Sequence, residues 1–526
     1  MKKIGNFIVR TVDYVFFGLM ILILTAAILV FSETITSGAM KYVIAMFTAL
    51  FACFFVVFGN TLILGLKRFI GKISNIPVKR MCIIIFASVL ITKVFFVFLF
   101  DNDISRHPDM ATYKSFAYQL ANRGEITEYV YSAYKWKYEV IYGLFLSPAV
   151  KLFGDDSKVL LTYLSFVFAV ACVLIFDIIR DYIGKDKAFT AIILFNLLPA
   201  GLFETQILVH ETALLFFYIL SFWLLTKAAN SKYNTVIRAL ALIASAVLIA
   251  FGNKINKGGT VVIISYAIYI FVNFCKDKFS FASFTKAAFA IVCYILCFYI
   301  ISNLCVAFVK NVVKLDEHDK ERISQIQRNA VPYGWSIYLG ANLETPGLWN
   351  GEDSNVYSQY QNMENREEAK QYQLNLINER LEPFIQNPLI IPSHLFKKLK
   401  TLWGAQLLPF DYGLGNDVNE FVLNGMHGII YKTIWLVSNL SYILLCAILV
   451  FSHKRHNTER VMGFYSPVTQ FKMMIVGLTG ALILFEVTPK YVSYLQMILF
   501  VIMAFGLSDF TDNSKRIKNK LIGNLK

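Results

Sequence analysis

The sequence predicts an all-α polytopic membrane protein with about twelve transmembrane helices. Three observations predict it: the composition, the recurrence of long apolar runs, and the side on which the basic loops fall. Of 526 residues, 57% are hydrophobic and only 16% are charged, a balance that marks an integral membrane protein. Apolar runs near twenty residues recur along the chain, each long enough to cross a hydrocarbon core of about 30 Å. The net charge of +15 comes from Lys and Arg gathered in short loops on one side of the membrane. It therefore implies a lipid bilayer as partner and no nucleic acid.

Taken in order, the chain opens with MKKIGNFIVR and an apolar run over 12–31. That charge layout is that of a signal peptide, but the apolar segment is too long for one, so it reads as an uncleaved first span. Spans are expected at 11–32, 41–66, 80–100, 157–179, 187–202, 205–227, 235–252, 258–274, 285–309, 427–451, 469–486 and 490–508. With the N-terminus in the cytoplasm, Lys67, Arg68, Lys72, Lys79 and Arg80 fall inside. So do Arg180, Lys185 and Lys187; Lys227, Lys232 and Arg238; Lys276, Lys278 and Lys286; and Lys454, Arg455 and Arg460. The tail ends inside with Lys515, Arg516, Lys518 and Lys520, as the positive-inside rule requires. Both termini are thus cytoplasmic in a multi-pass protein of the cell membrane.

Two polar segments land outside, 101–156 and 310–426. They divide the chain into an N-terminal transmembrane module (1–309, with 101–156 as its first outer loop), an extracytoplasmic segment (310–426), and a C-terminal module with a basic tail (427–526). The stretch 187–228 is interrupted by Pro199, Gly201, Glu204 and Gln206. As one span it would put every later basic loop outside, so it reads as two helices meeting at the outer surface. Residues 140–153 are apolar but short, and SHLFKKLKTLWG (393–404) has a basic and an apolar face; both suit helices lying along the membrane. The eight cysteines, Cys53, Cys82, Cys172, Cys275, Cys293, Cys297, Cys305 and Cys446, lie in or beside apolar runs and read as small buried residues.

The candidate site starts at 101–124, DNDISRHPDMATYKSFAYQLANRG. Pro108 suits a first helical position, Asp109 falls in the first turn where the helix dipole favours a carboxylate, and Gly124 is a natural stop. Asp109 and Tyr113, four apart, share a face. Ionisable residues near spans are costly and point to function, and they gather near the outer face at four places. These are Asp101, Asp103 and Asp109; Glu204, His210 and Glu211; Lys254 and Lys257; and Glu486 and Lys490. Each has a plainer structural reading: His210 as a satisfied core histidine, the lysines as snorkelling anchors, Glu486 and Lys490 as a local ion pair. Their coincidence at one mouth of the bundle is the signal.

Several of these segments resemble a known family. HPDMATYKSFAYQLANRG is similar to the first outer loop of the GT-C glycosyltransferases that use polyprenyl-phosphate sugars, such as the aminoarabinose-to-lipid-A transferases and the protein O-mannosyltransferases. Asp109 and Tyr113 match the family's Pro-Asp-Glu-x-x-Tyr pattern, with Met110 where many members have Glu. YGLFLSPAVKLF resembles the short helix that follows, and LPAGLFETQILVHETALLFFYIL the paired-helix segment, where Glu211 is the match. EVTPKYVSYLQMIL resembles the final Glu-x-x-x-Arg-Tyr, with Lys490 for Arg and Tyr491 kept, and NPLIIPSHLFKKLKTLW the amphipathic helix before the last spans. Two additional spans precede the first outer loop.

The resemblance implies a GT-C-type fold with a small mixed extracytoplasmic cap. It implies transfer of a sugar from a polyprenyl-phosphate donor to a cell-envelope glycan, teichoic-acid-like polymer or lipid, on the extracytoplasmic side. Asp109 is then the general base, packed or oriented by Tyr113, with Glu211 a further polar contact. Lys254, Lys257, Lys490 and Tyr491 would bind the donor phosphate. His210, Glu204 and Glu486 are candidate contacts to acceptor or metal; a divalent metal ion is an open candidate cofactor, and no nucleotide is expected on the outer face. The residue types suit the chemistry: a carboxylate accepts the hydroxyl proton, and positive charge receives the leaving phosphate. An O-antigen or capsule polymerase or ligase is the alternative, which the scarcity of outer Arg disfavours. A transporter or flippase would carry midplane charges and inverted repeats.

Overall fold

The computed structural model describes residues 2–36, 38, 40–58, 75–100, 108–130, 133, 137–230, 232–256, 258–274, 280–317, 320–321, 331, 334–363, 365–404, 426–452, 466–488 and 490–506. Asp101, Asp103, Lys257, Cys275 and the basic tail from Lys515 lie outside the described residues, as does the side chain of Lys490.

The regular structure among the described residues is helical, with one isolated parallel bridge between Ile126 and Val313. Among the described residues, eight helices are long and apolar enough to cross a membrane. They are α1 (Lys2–Ile35), α3 (Val78–Phe100), α6 (Ser157–Ile183), α9 (His210–Ala229), α10 (Thr235–Ile255), α12 (Phe281–Val312), α17 (Met426–Phe451) and α18 (Pro467–Leu484). The apolar helices α2 (Met40–Phe58), α11 (Gly259–Phe274) and Tyr491–Gly506 are shorter. Large apolar side chains such as Ile83, Ile91, Phe95, Phe289 and Tyr299 are exposed on these helices, as lipid-facing positions require. The protein is an all-α polytopic membrane protein.

The expected span at 187–202 is a 13-residue helix, α7 (Lys185–Leu197), followed after Leu198 by α8 (Pro199–Phe203). Thirteen residues rise only about 20 Å. The break is imposed by Pro199, which drives Leu198 into an extended conformation (φ −82°, ψ 151°). Gly201 is required beside it, since a Cβ there would meet Phe195 O at 2.1 Å. The chain then runs through 204–209 to the start of α9.

Beside this segment, α4 (Pro108–Asn122) and α5 (Lys137–Phe153) pack against each other. Gly143 makes the approach possible, because a Cβ there would lie 2.7 Å from Phe116 Cβ. As the sequence predicts, α4 begins at Pro108, and Gly124 beyond its end takes a left-handed φ of +73°. Met110, Tyr113, Phe116 and Ala117 of α4 join Val140, Ile141, Tyr142 and Leu146 of α5 in one core cluster. A larger cluster runs along the spanning helices. The described part of 310–426 consists of α13 (Gly334–Gly340), α14 (Gly351–Asn362), α15 (Arg366–Gln386) and α16 (Ile390–Trp403). Its small core joins Tyr338, Leu339 and Ile377, and Arg380 pairs with fully buried Asp353 at 3.2 Å.

On α16 the buried residues are His394, Lys398, Leu399, Leu402 and Trp403. One lysine of the expected basic face is therefore not on the surface. The Trp403 indole Nε1 donates to Thr479 Oγ1 of α18 (3.1 Å), and Lys400 pairs with Glu33 of α1.

Candidate active site

A cavity of about 240 Å³ opens where α4, α5, α9, α10 and the turn after α18 meet. Its wall brings together residues that are far apart in sequence: Asp109 and Tyr113 from α4, Tyr138 from α5, His210 from α9, and Asn256 and Gly258 after α10. The far side is Leu478 and Leu482 of α18 with Glu486, Tyr491 and Tyr494. Four tyrosines, two carboxylates and an imidazole face one small space, and no Lys or Arg is among the described lining residues.

Asp109 reaches the cavity because Pro108 starts the helix there, which sets the carboxylate in the first turn. The hydroxyl of Tyr113 lies 3.4 Å from His210 Nδ1; the sequence expectation had it serving Asp109. Burial pushes the Tyr113 phenol well above its ordinary value, with the charges of Tyr138, Asp109, Glu139 and Glu211 adding to the rise. Tyr138 is pushed up likewise by burial first, then by Glu139, Asp109, Glu486 and Glu211. Both therefore stay protonated and remain hydrogen-bond donors.

His210 opens α9, and the strand-like residue before it, Val209, is held by Tyr142, whose hydroxyl donates to Val209 O (2.9 Å). Asn256 Oδ1 accepts from the Gly258 amide (3.1 Å), which leaves its Nδ2 to face His210 Nε2 at 3.0 Å. The two ring nitrogens thus face Tyr113 on one side and Asn256 on the other, each donating or accepting according to the tautomer. Glu211 lies behind the imidazole, fully buried, with Oε1 3.3 Å from His210 Nε2. Neither of its oxygens makes a hydrogen bond within the described residues. Across the cavity the Tyr491 hydroxyl donates to Glu486 Oε1 (3.1 Å).

Other sequence candidates fall elsewhere. Glu211 supports the wall without lining it. Glu204 bonds Ser493 and interacts with Lys93, apart from the cavity lining. Lys254, one residue before lining residue Ile255, acts electrostatically on Lys137, as Lys310 does. Those lysines come from α10, α5 and α12, helices that pack pairwise. Burial lowers the Lys137 ammonium, and the charges of Lys310 and Lys254 lower it further. Among the described residues, no group of three or more His, Cys, Asp or Glu side chains is arranged to hold a metal ion. The described donors thus do not form a cage for a divalent ion.

Sequence reasoning missed Tyr138, Asn256 and Tyr494, polar groups at helix ends with no distinguishing spacing. It also missed two buried lysines, Lys93 and Lys398. Lys93 carried a readable signal, because it stands in the middle of an apolar span. Its Nζ donates to Gly201 O and lies 4.2 Å from the centroid of the Phe168 ring.

No protein-family model matches the chain, and no curated protein sequence matches it. Among solved structures, one similar chain is the archaeal oligosaccharyltransferase AglB from Archaeoglobus fulgidus, in complex with an inhibitory peptide and a dolichol-phosphate. The likeness has a TM-score of 0.37 at 13% identity and covers 82% of this chain and 50% of that one. The chain thus spans about half the length of that protein.

Proposed function

We propose that this protein is a GT-C-type membrane glycosyltransferase. It moves one sugar from a polyprenyl-phosphate donor to a hydroxyl of a cell-envelope glycan, teichoic-acid-like polymer or lipid, on the extracytoplasmic side. One observation carries the reading. Asp109, His210 and Glu486, drawn from three remote parts of the chain, share one cavity with four tyrosines at the end of the helical bundle. The volume, about 240 Å³, is below the roughly 300–1,000 Å³ of drug-sized sites, which suits a single sugar ring. Aromatic faces and carboxylates are the groups that pack against a sugar and bind its hydroxyls.

In the proposed reaction the acceptor oxygen attacks the anomeric carbon while the bond from that carbon to the phosphate oxygen breaks. The electron pair leaves with the phosphate. Asp109 takes the acceptor proton, a role general-base catalysis rewards with about 10²–10⁴-fold in rate. Lys254, with Lys137 within reach of its charge, supplies positive charge for the phosphate. Lys257 and Lys490 belong to the same proposal. Glu486, fixed by Tyr491, binds sugar hydroxyls.

A second reading assigns the proton to His210, because Tyr113, Asn256 and Glu211 orient its ring, as a base held by other groups requires. The test of the function itself is product analysis with purified protein, a panel of polyprenyl-phosphate sugars and a hydroxyl acceptor. Sugar on the acceptor with free polyprenyl phosphate supports transfer. Export of intact donor across a vesicle membrane without chemistry would establish a transporter instead.

A further inference from the structure

Lys398 is almost fully buried, at 1% exposure, although it belongs to the basic, amphipathic helix α16. Its Nζ donates to two backbone carbonyls, Gly340 O at 3.0 Å and Phe485 O at 2.5 Å. Gly340 is the last residue of α13, and Phe485 is the C-cap of α18. Both carbonyls are therefore helix-end acceptors without an intrahelical donor, at the negative ends of two helix dipoles. A single ammonium closes both. His394, one turn earlier on the same face, hydrogen-bonds Gly340 O through Nε2 (2.8 Å).

The place it holds is tightly built. A Cβ on Gly340 would lie 2.9 Å from Leu484 O, and one on Gly347 would lie 2.7 Å from Val487 Cγ2 and 3.1 Å from Lys398 Cε. The Val487 amide donates to Gly347 O (2.9 Å). Between Phe485 and Val487 stands Glu486, in the cavity wall.

We propose that Lys398 is a positioning residue. From the amphipathic helix, its ammonium binds the ends of α13 and α18 together and so fixes the 485–487 turn that presents Glu486 to the sugar. The part concerning sugar rests on the glycosyltransferase reading above; the clamp itself does not. Seating of α16 is thereby coupled to the shape of the cavity. Lys398 touches neither the cavity nor a reacting atom, so its loss acts through Glu486.

Amide hydrogen exchange separates the two claims, using the full-length protein in detergent. Lys398→Met should speed exchange at Val487 by about 10–100-fold, the factor that a charged hydrogen bond is worth, with the interior of α18 still protected. Lys397→Met, at the exposed neighbouring position, should leave Val487 unchanged. If the Met variant does not insert, Lys398→Gln keeps an NH2 donor on a shorter stem and should give a smaller rise at Val487. In transfer assays the Met variant should raise the KM for sugar donor more than it lowers kcat. Unchanged Val487 protection in the inserted variants overturns the clamp. Loosened Val487 with unchanged KM would keep the clamp but overturn its role in positioning Glu486.

Discussion

Two turns bring polar side chains to the cavity, one His210 and the other Glu486, and each is held by a buried lysine that donates to a backbone carbonyl. The 198–209 turn leads to His210 and Glu211 and is held by Lys93, inside spanning helix α3. The 485–488 turn carries Glu486 and is held by Lys398, on a helix outside the spans. Further ties bind the first turn to the bundle: Gln206 Nε2 donates to Lys93 O (3.3 Å), and the hydroxyls of Ser165 and Thr205 lie 2.9 Å apart. The second turn is tied instead to the polar segment, through Gly340 and Gly347. One wall is thus part of the membrane core, and the other depends on chain that packs over its end. The first wall holds His210 in a fixed place, and the second suits a group such as Glu486 that recognises a variable substrate.

That contrast predicts unequal costs. Lys93→Met removes the buried ammonium that donates to Gly201 O and ties this turn to α3. Losing a buried charged hydrogen bond costs about 1.5–3 kcal/mol, so thermal unfolding in detergent should show a large loss or failure to insert. A Lys93→Met protein as stable as wild type would remove the distinction between the walls. Tyr491→Phe deletes one hydrogen bond to Glu486, worth about 0.5–1.5 kcal/mol. Its effect should appear as a KM change of up to about tenfold with little change in unfolding temperature. A fall in kcat alone would place Glu486 in the chemistry.

The smallest effect concerns pH. Burial lowers the Lys398 ammonium to about 8, against about 10.4 in an unfolded chain. Between those values the unfolded chain binds more protons, so the contribution of Lys398 to stability rises with pH. The gap in unfolding temperature between wild type and Lys398→Met should move in favour of wild type from pH 8 toward 10. A gap that moves the other way would mean that the two carbonyls outweigh burial and hold the Lys398 ammonium above its ordinary value.

Much of this arrangement was legible beforehand, and the gaps have physical causes. The start of α4 was readable because Pro108, Asp109 and Gly124 act locally, through φ restriction, the helix dipole and left-handed backbone. The gathering of Asp109, His210 and Glu486 was readable because connections at one end of spanning helices must share a surface. The partner of Tyr113 was not, since a four-residue spacing reports a helix face and says nothing of the histidine 97 positions away. Lys398 was hidden by its own helix: SHLFKKLK reads as a basic surface, and only the meeting of two helix ends draws that ammonium inward. At 187–202 hydropathy alone gave a span, whereas Pro199 and Gly201 shape a short helix and a break.

The proposed chemistry rests on Asp109, and single-turnover transfer by Asp109→Asn beside His210→Gln tests it most directly. The Asn keeps size and loses only the capacity to take a proton. Asp109→Asn should bind donor as wild type does and transfer about 10²–10⁴-fold more slowly, with His210→Gln impaired less. Transfer by Asp109→Asn at the wild-type rate, with His210→Gln inactive, would contradict the assignment and move the base to the imidazole.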